Sequence, residues 1–173
     1  MSLKPIVNDN DHTQGNQDAD LVIVEYGDYQ CPHCGAAYPV LQKMMRQFGD
    51  QLKFVFRNFP LSEMHAYARP AALAAEAAGL QGKFWEMHDA IFEHQRYLDD
   101  QLLLTLAEKL GLNMHQFAGD LKQPALADKI DADFESGVRS GVNGTPSFFI
   151  NGNKFDGGAE DLLQLLEENT KQA

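Results

Sequence analysis

The two cysteines of the chain, Cys31 and Cys34, are separated only by Pro32 and His33. A disulfide between them would stabilise the fold little, because a cross-link stabilises mainly by closing a long loop in the unfolded chain. The pair is therefore predicted to act chemically. A redox couple and half of a metal site are the two chemical alternatives, and a pair of inert buried thiols is the third.

A metal site is the weaker chemical alternative, because the sequence does not supply the other ligands. Zinc takes four ligands, and no second C-x-x-C or H-x3–5-H pattern follows the first pair. His88 and His94 stand among aromatic residues and are better explained as surface or core histidines. We expect neither a metal nor an organic cofactor, and the pattern favours redox chemistry.

A β-α-β unit is predicted to position the cysteines. Residues 21–26, LVIVEY, form a continuous apolar and β-branched run that indicates a strand covered on both faces. Apolar residues then recur at helical spacing over 34–48, with Pro39 inside the pattern. Residues 51–60, QLKFVFRNFP, alternate and predict a second strand. The cysteines therefore fall at the turn between the first strand and the helix.

This turn predicts different properties for the two thiols. The sulfur of Cys31 would face the unpaired N–H groups and the positive dipole end of the helix, which stabilise a thiolate. Cys31 is expected to be an acidic, exposed nucleophile, and Cys34 a less exposed thiol that attacks a mixed disulfide formed at Cys31. Pro32 suits the first helical turn. His33, if protonated, would add positive charge near the thiolate.

Two further features of the sequence concern the same chemistry. Glu25 is the only charged residue of its apolar strand, so a core-facing carboxyl with a raised pKa could relay protons to Cys34. A solvated Glu25 at a sheet edge is the alternative. The Thr145-Pro146 bond immediately precedes the apolar run SFFI and is predicted to be cis, with an ordinary turn proline as the alternative.

The rest of the chain predicts a helical insertion within a sheet-containing domain. Residues 61–141 have helical period almost throughout, whereas 1–60 and 142–173 contain the strand patterns. Asn151-Gly152 suits a type I′ hairpin between two short strands, and an amphipathic helix closes the chain. The segment 5–8, PIVN, is expected to be a short edge strand.

Composition limits the class of protein and its partners. The chain has 173 residues, of which 44% are hydrophobic, so it can bury a core as one domain. Its formal net charge of -11 disfavours nucleic acid as a partner. No apolar stretch approaches the roughly 20 residues of a membrane span. The polar first twenty residues predict a cytoplasmic chain as given, and a periplasmic or extracytoplasmic one if a signal peptide was removed.

Taken together, these motifs resemble the DsbA-like thiol-disulfide oxidoreductases of the thioredoxin superfamily. The resemblance rests on CPHC after a strand, Glu25 six residues before the first cysteine, Pro39, the GTP turn before SFFI, and the helical insertion. It covers nearly the whole chain. It implies an α/β, thioredoxin-like fold with a mixed central sheet and an inserted all-helical subdomain.

The resemblance also implies roles for the site residues. Cys31 would be the nucleophile, Cys34 the resolving thiol, and Pro146 would face the pair. Similar proteins with threonine before the cis proline, as at Thr145 here, include disulfide isomerases and reductases. The direction of electron flow therefore stays open between oxidase, isomerase and reductase.

The leading hypothesis is a dithiol-disulfide oxidoreductase that acts on cysteine-containing proteins and exchanges electrons with a separate redox partner. A substrate would lie extended beside Thr145 and Pro146, with Tyr29 lining a shallow groove. A non-catalytic peptide-binding or chaperone module on the same fold is the main alternative. A glutathione-dependent isomerase or transferase is disfavoured, because such enzymes commonly dispense with the cysteine pair.

Overall fold

The computed structural model describes residues 1–171, and its centre is a mixed sheet with the strand order β1-β3-β2-β4-β5. The strands within these residues are β1 His12–Gly15, β2 Leu21–Gly27, β3 Leu52–Asn58, β4 Ser147–Ile150 and β5 Asn153–Phe155. The helices are α1 Pro32–Phe48, α2 Ala68–Gly79, α3 Phe84–Glu93, α4 Asp100–Lys109, α5 Met114–Asp120, α6 Pro124–Arg139 and α7 Ala159–Lys171. The predicted thioredoxin-like α/β fold is confirmed.

Strand β2 occupies the middle of the sheet, as its apolar run predicts. It pairs in parallel with β3 and antiparallel with β4. Ile23 and Val24 are buried on opposite faces, because helices or loops cover both sides of the sheet. The chain leaves β2 and enters α1 within a few residues, which places the cysteines at the carboxyl end of the central strand.

The edge strand differs from the sequence prediction. Segment 5–8 is not a strand, and β1 at His12–Gly15 pairs with β3 instead. Pro5 lacks the N–H that a ladder needs, whereas every residue of β1 can donate. The residues before Pro5 lie along the opposite edge, where Ser2 bridges to Asn153 and Leu3 N–H donates to the Gly152 carbonyl at 2.8 Å.

The two short strands β4 and β5 are joined by the predicted hairpin turn. Asn151 and Gly152 both have positive φ, at 48° and 84°, as a type I′ turn requires. Helix α7 follows and packs with α1 on one face of the sheet, where Leu41, Met44 and Leu162 are buried together.

Helices α2 to α6 lie between β3 and β4 in sequence, together with a 3₁₀ turn at Gln95–Tyr97. Their apolar residues join both cysteines in one buried cluster, which includes Met87, Ile91 and Phe117. The helices therefore form one wall of the region around the thiols. The division into a sheet domain and a separate helical unit at 61–141 stays a prediction.

Candidate active site

Both cysteines lie at the amino end of α1, as free thiols. Cys31 is the N-cap residue, and Cys34 lies one turn inside the helix. The expectation of an exposed Cys31 is wrong, because the residue is only 4% exposed. The loop before β4 covers it, and its Sγ lies 3.7 Å from the Thr145 carbonyl oxygen.

The surroundings of Cys31 favour its thiolate. The pKa of Cys31 is lowered to about 5, and the largest cause is a hydrogen bond from the Cys34 thiol. Burial acts in the opposite direction, and smaller hydrogen bonds add to the lowering. The other donors are the Thr145 side chain and the backbone N–H groups of Cys34 and His33. His33 thus acts through its backbone, while its side chain and that of Pro32 are exposed.

The pKa of Cys34 is shifted in the opposite direction. It is 1% exposed, and burial is the main reason that its pKa lies well above the ordinary value. Its hydrogen bond to Cys31 and the charge of Glu25 raise the pKa further, against the Asp28 N–H that donates to Cys34 Sγ at 3.5 Å. At neutral pH the pair therefore holds one thiolate and one thiol, which is the arrangement that thiol–disulfide exchange uses.

Glu25 faces the interior of the protein. It is 2% exposed and lies between Phe56 and Phe148 in the register of the sheet. Burial raises its pKa to about 8. The alternative of a solvated carboxyl at a sheet edge is therefore wrong. Glu25 and Cys34 line the same small cavity, so the predicted proton relay stays a hypothesis that this geometry supports.

The Thr145-Pro146 peptide bond is cis, as predicted. The loop places the Thr145 carbonyl and hydroxyl next to the sulfur of Cys31. The Thr145 hydroxyl has no other hydrogen-bond partner within residues 1–171, so it is free to donate to the thiolate.

Tyr29 does not line a surface groove, which corrects the sequence prediction. It is 1% exposed, and its ring packs against Phe56 at 5.2 Å and Phe92 at 5.0 Å between centroids. The loop after β2 turns this ring inward because the space between the sheet and α3 is apolar. Its pKa lies well above the ordinary value, mainly because of burial.

Asp28 is a site residue that the sequence analysis missed. Its buried carboxylate accepts four hydrogen bonds, from the N–H groups of Gln30, Cys31 and Leu61 and from His65 Nδ1. The distances run from 2.8 Å for Gln30 to 3.2 Å for Cys31. The carboxylate joins the cysteine loop to the loop after β3. An aspartate shortly before a helix start is a known turn signal and could have identified it.

Gln95 is the second residue that was missed. Its side-chain amide donates to the backbone carbonyls of Tyr29, at 2.9 Å, and Cys31, at 2.8 Å. Gly35 leaves room for it, because a Cβ at that position would overlap the Gln95 amide. No feature of the local sequence signals this contact.

The described residues lack two other kinds of feature. Over residues 1–171, no group of three or more His, Cys, Asp or Glu side chains is arranged to hold a metal ion. In the same part of the chain, no helix has the length and apolar character to cross a membrane.

A fold of this kind with an asymmetric C-x-x-C pair at a helix start defines the thiol–disulfide oxidoreductase class. The sequence model of the thioredoxin family matches residues 7–168. The chain therefore belongs to the thioredoxin family, and its fold is one that DsbA proteins share.

Solved structures agree with this assignment. A thioredoxin-like oxidoreductase from Silicibacter pomeroyi is 26% identical, with a TM-score of 0.77, and the match covers 96% of this chain and 95% of that one. Oxidised BdbD from Bacillus subtilis is also 26% identical, with a TM-score of 0.77 over 94% of each chain. The thiol-disulfide exchange protein α-DsbA2 from Wolbachia pipientis shares the fold, with a TM-score of 0.82 at 24% identity, over 95% of this chain and 88% of that one.

Curated relatives are much longer proteins. The Na(+)/H(+) antiporter NhaA 1 of Salinispora arenicola is 42% identical over 155 residues, which are 90% of this chain and 24% of the relative. NhaA 1 of Mycolicibacterium vanbaalenii is 39% identical over 169 residues, which are 95% of this chain and 27% of the relative. The chain thus spans about a quarter of the length of these relatives.

Proposed function

We propose that this chain exchanges disulfides with cysteine-containing proteins through the Cys31–Cys34 pair. The proposal is carried by the opposite pKa shifts of two neighbouring thiols at a helix start. The pKa of Cys31 is lowered to about 5, and that of Cys34 is raised. A structural pair of inert thiols would have both pKa values raised by burial. A lowered pKa at the helix start marks Cys31 as the nucleophile and the better leaving group.

The reaction balances without a cofactor. In the oxidised protein, a substrate thiolate attacks Cys31 Sγ, the Cys31–Cys34 bond breaks, and Cys34 leaves and takes up a proton. A second substrate thiolate then attacks the substrate sulfur of the mixed disulfide, which releases Cys31 as a thiolate and oxidises the substrate by two electrons. A separate redox partner restores the disulfide.

We further propose that the net direction is oxidation of substrates. The stabilised Cys31 thiolate exists only in the reduced protein, so it favours the reduced protein and makes the disulfide a stronger oxidant. Reduction potentials of the pair, measured by equilibration with glutathione, test the direction. A potential near that of thioredoxin, about −270 mV, would instead support a reductase.

A trapping experiment tests the assignment of the two cysteines. Cys34→Ser should accumulate mixed disulfides between Cys31 and substrate proteins, visible as reducible bands on gels, because no thiol remains to resolve them. Cys31→Ser is the matched control and should accumulate few. The reverse pattern would mean that the roles are exchanged.

A turnover assay separates an enzyme from a binding module on the same fold. This chain should accelerate the refolding of a scrambled disulfide protein, and the Cys31→Ser variant should not. If Cys31→Ser accelerated refolding as well as the unchanged protein, the peptide-binding or chaperone hypothesis would replace the proposal.

A further inference from the structure

A small cavity lies beside Cys34, which is one of its lining residues. Its volume is about 10 Å³, close to the least space in which a water molecule fits. Glu25, Cys34 and His88 line it, together with Tyr38 and Gln42 of α1 and several apolar residues. The cavity is therefore shared by the Cys34 thiol, the Glu25 carboxyl and His88, which has no role in the exchange steps described above.

His88 is buried with one ring nitrogen unpartnered. The residue is 3% exposed, its Nδ1 lies 2.9 Å from Asp89 Oδ1, and its Nε2 has no hydrogen-bond partner among residues 1–171. A buried polar atom without a partner is energetically unfavourable. The surrounding rings offer it none, and they belong to Tyr29, Tyr38, Phe56, Phe84, Trp85 and Phe92.

The other side of His88 leads to the surface. Asp89 Oδ1 also accepts from Gln42 Nε2 at 3.3 Å, and the Asp89 side chain is 35% exposed. With Asp89 accepting from Nδ1–H, the tautomer leaves Nε2 as an unpartnered acceptor on a residue that lines the cavity. Burial lowers the pKa of His88, against the effect of Asp89, so the ring is neutral at neutral pH.

Other ionisable groups face His88 from each element packed on it. They are Glu25 on β2, Tyr29 in the loop after β2, Cys34 and Tyr38 on α1, Asp89 on α3, and His12 on β1, which is paired with Glu76 of α2. Of these, Glu25, Cys34 and Tyr38 also line the cavity.

We propose that His88 is the proton relay beyond Glu25, through a water molecule in this cavity that hydrogen-bonds the Glu25 carboxyl and His88 Nε2. The inference rests on the proposed exchange reaction and extends it. It assigns the His88–Asp89 pair as the route by which protons enter and leave the closed space around Cys34.

The proton balance follows one half-cycle. When Cys34 attacks a mixed disulfide at Cys31, its thiol proton passes to the Glu25 carboxylate, the Cys34–Cys31 bond forms, and the Cys31–substrate bond breaks. The substrate leaves as a thiolate. Glu25 then passes a proton through the water to His88 Nε2, and the Nδ1 proton leaves by way of Asp89 to solvent. The opposite half-cycle, in which Cys34 leaves as a thiolate, runs the same path inward and restores the tautomer.

Reaction of the reduced protein with Ellman's reagent, followed by stopped flow, separates the two thiols. The first thionitrobenzoate release reports attack by Cys31, and the second reports attack by Cys34 on the mixed disulfide. His88→Phe and His88→Gln should leave the first release unchanged and slow the second by about tenfold. This is less than the 10²–10⁴-fold typical of a group that itself exchanges the proton with the reacting atom. His115→Gln, at an exposed position, is the matched control.

Two readouts separate a relay from packing. The second release in the unchanged protein should follow the ionisation of Glu25, with its pKa of about 8, and show a solvent deuterium isotope effect. The pH dependence and the isotope effect of the second release should both be weaker in the His88 variants. Identical pH profiles and isotope effects would overturn the inference, whereas a missing second release in the unchanged protein would overturn the proposed function instead.

A measurement on the unchanged protein keeps the inference testable if neither variant folds. Nitrogen NMR of His88 should show an unprotonated Nε2 that accepts a hydrogen bond from a long-lived internal water. A protonated Nε2, or no water contact, would overturn the inference.

Discussion

The side-chain amide of Gln95 donates to the backbone carbonyl of Cys31 at 2.8 Å, although 64 positions separate the two residues. The 3₁₀ turn that carries Gln95 therefore holds the N-cap residue of α1 in place. Because the first N–H groups of α1 help to lower the Cys31 pKa, the helical region between β3 and β4 helps to position the groups that stabilise this thiolate.

Gln95→Ala should lower the free energy of unfolding of the reduced protein by about 1–3 kcal/mol. The reason is that the substitution leaves the Tyr29 carbonyl without its donor in a part-buried site, and leaves the Cys31 carbonyl with only the Gly35 N–H. Urea denaturation measures the change. Gln101→Ala, at an exposed position on α4, is the control and should change stability by less than about 0.5 kcal/mol. Equal effects of the two substitutions would contradict the anchoring role.

Asp28→Ala should destabilise the protein more than any surface aspartate. It removes the acceptor of four hydrogen bonds and leaves the buried N–H of Cys31 unpaired by a side chain. We expect a loss of about 3 kcal/mol or more, since bonds to a charged acceptor contribute about 1.5–3 kcal/mol each. Asp50→Ala, at an exposed position, is the control in thermal and urea unfolding. A loss below 1 kcal/mol would show that the two loops hold together without Asp28.

Thr145→Val should raise the Cys31 pKa from about 5, because the substitution removes a hydroxyl that stabilises the thiolate. Thiolate absorbance or alkylation rate as a function of pH measures the shift. Thr105→Val on α4 is the matched control and should leave the titration of Cys31 in place. A Cys31 titration near 8.5 in the unchanged protein would overturn the low pKa itself.

The low Cys31 pKa also sets a pH dependence of stability in the reduced protein. The folded pKa of about 5 lies below the unfolded value of about 8.5. This contribution is therefore fully present above about pH 8.5 and is lost as pH falls through about 5. The oxidised protein has no thiolate and lacks it. At neutral pH, the reduced protein should thus be the more stable form, and denaturation of both forms measures the difference.

The contribution of Glu25 to the pH dependence of stability has the opposite sign. Its folded pKa of about 8 lies above its ordinary value of 4.5, so the neutral carboxyl stabilises the fold below about pH 4.5, and this advantage is lost as pH rises through about 8. In the reduced protein, the Cys31 contribution rises over much of the same range and masks the loss. The oxidised protein should therefore show the Glu25 dependence most clearly.

Glu25→Gln in the oxidised protein should flatten the decline of stability between about pH 4.5 and 8. Each pKa unit corresponds to about 1.4 kcal/mol, so the decline amounts to a few kcal/mol. Urea unfolding at a series of pH values measures it, with Glu167→Gln on α7 as the control. A flat profile in the unchanged oxidised protein would mean that Glu25 is ionised in the fold at neutral pH.

Local sequence determined the elements that carry the thiols. The apolar run of β2, the helical spacing after Cys34 and the turn residues Asn151 and Gly152 act through neighbours a few positions away, so their structures follow from the sequence. The helix start that acts on Cys31 is also a local feature, whereas the raised pKa of Cys34 comes mainly from burial.

Only the tertiary structure decided what surrounds the pair. The four partners of Asp28, the anchor at Gln95, the inward ring of Tyr29 and the covered sulfur of Cys31 depend on segments brought together by folding. The edge strand was misplaced for the same reason, since pairing of β1 with β3 joins residues more than 35 positions apart. Burial and hydrogen-bond partners across such distances leave no periodic signal in the chain. The sequence therefore identifies the candidate reactive residues, and the packing decides their protonation and access.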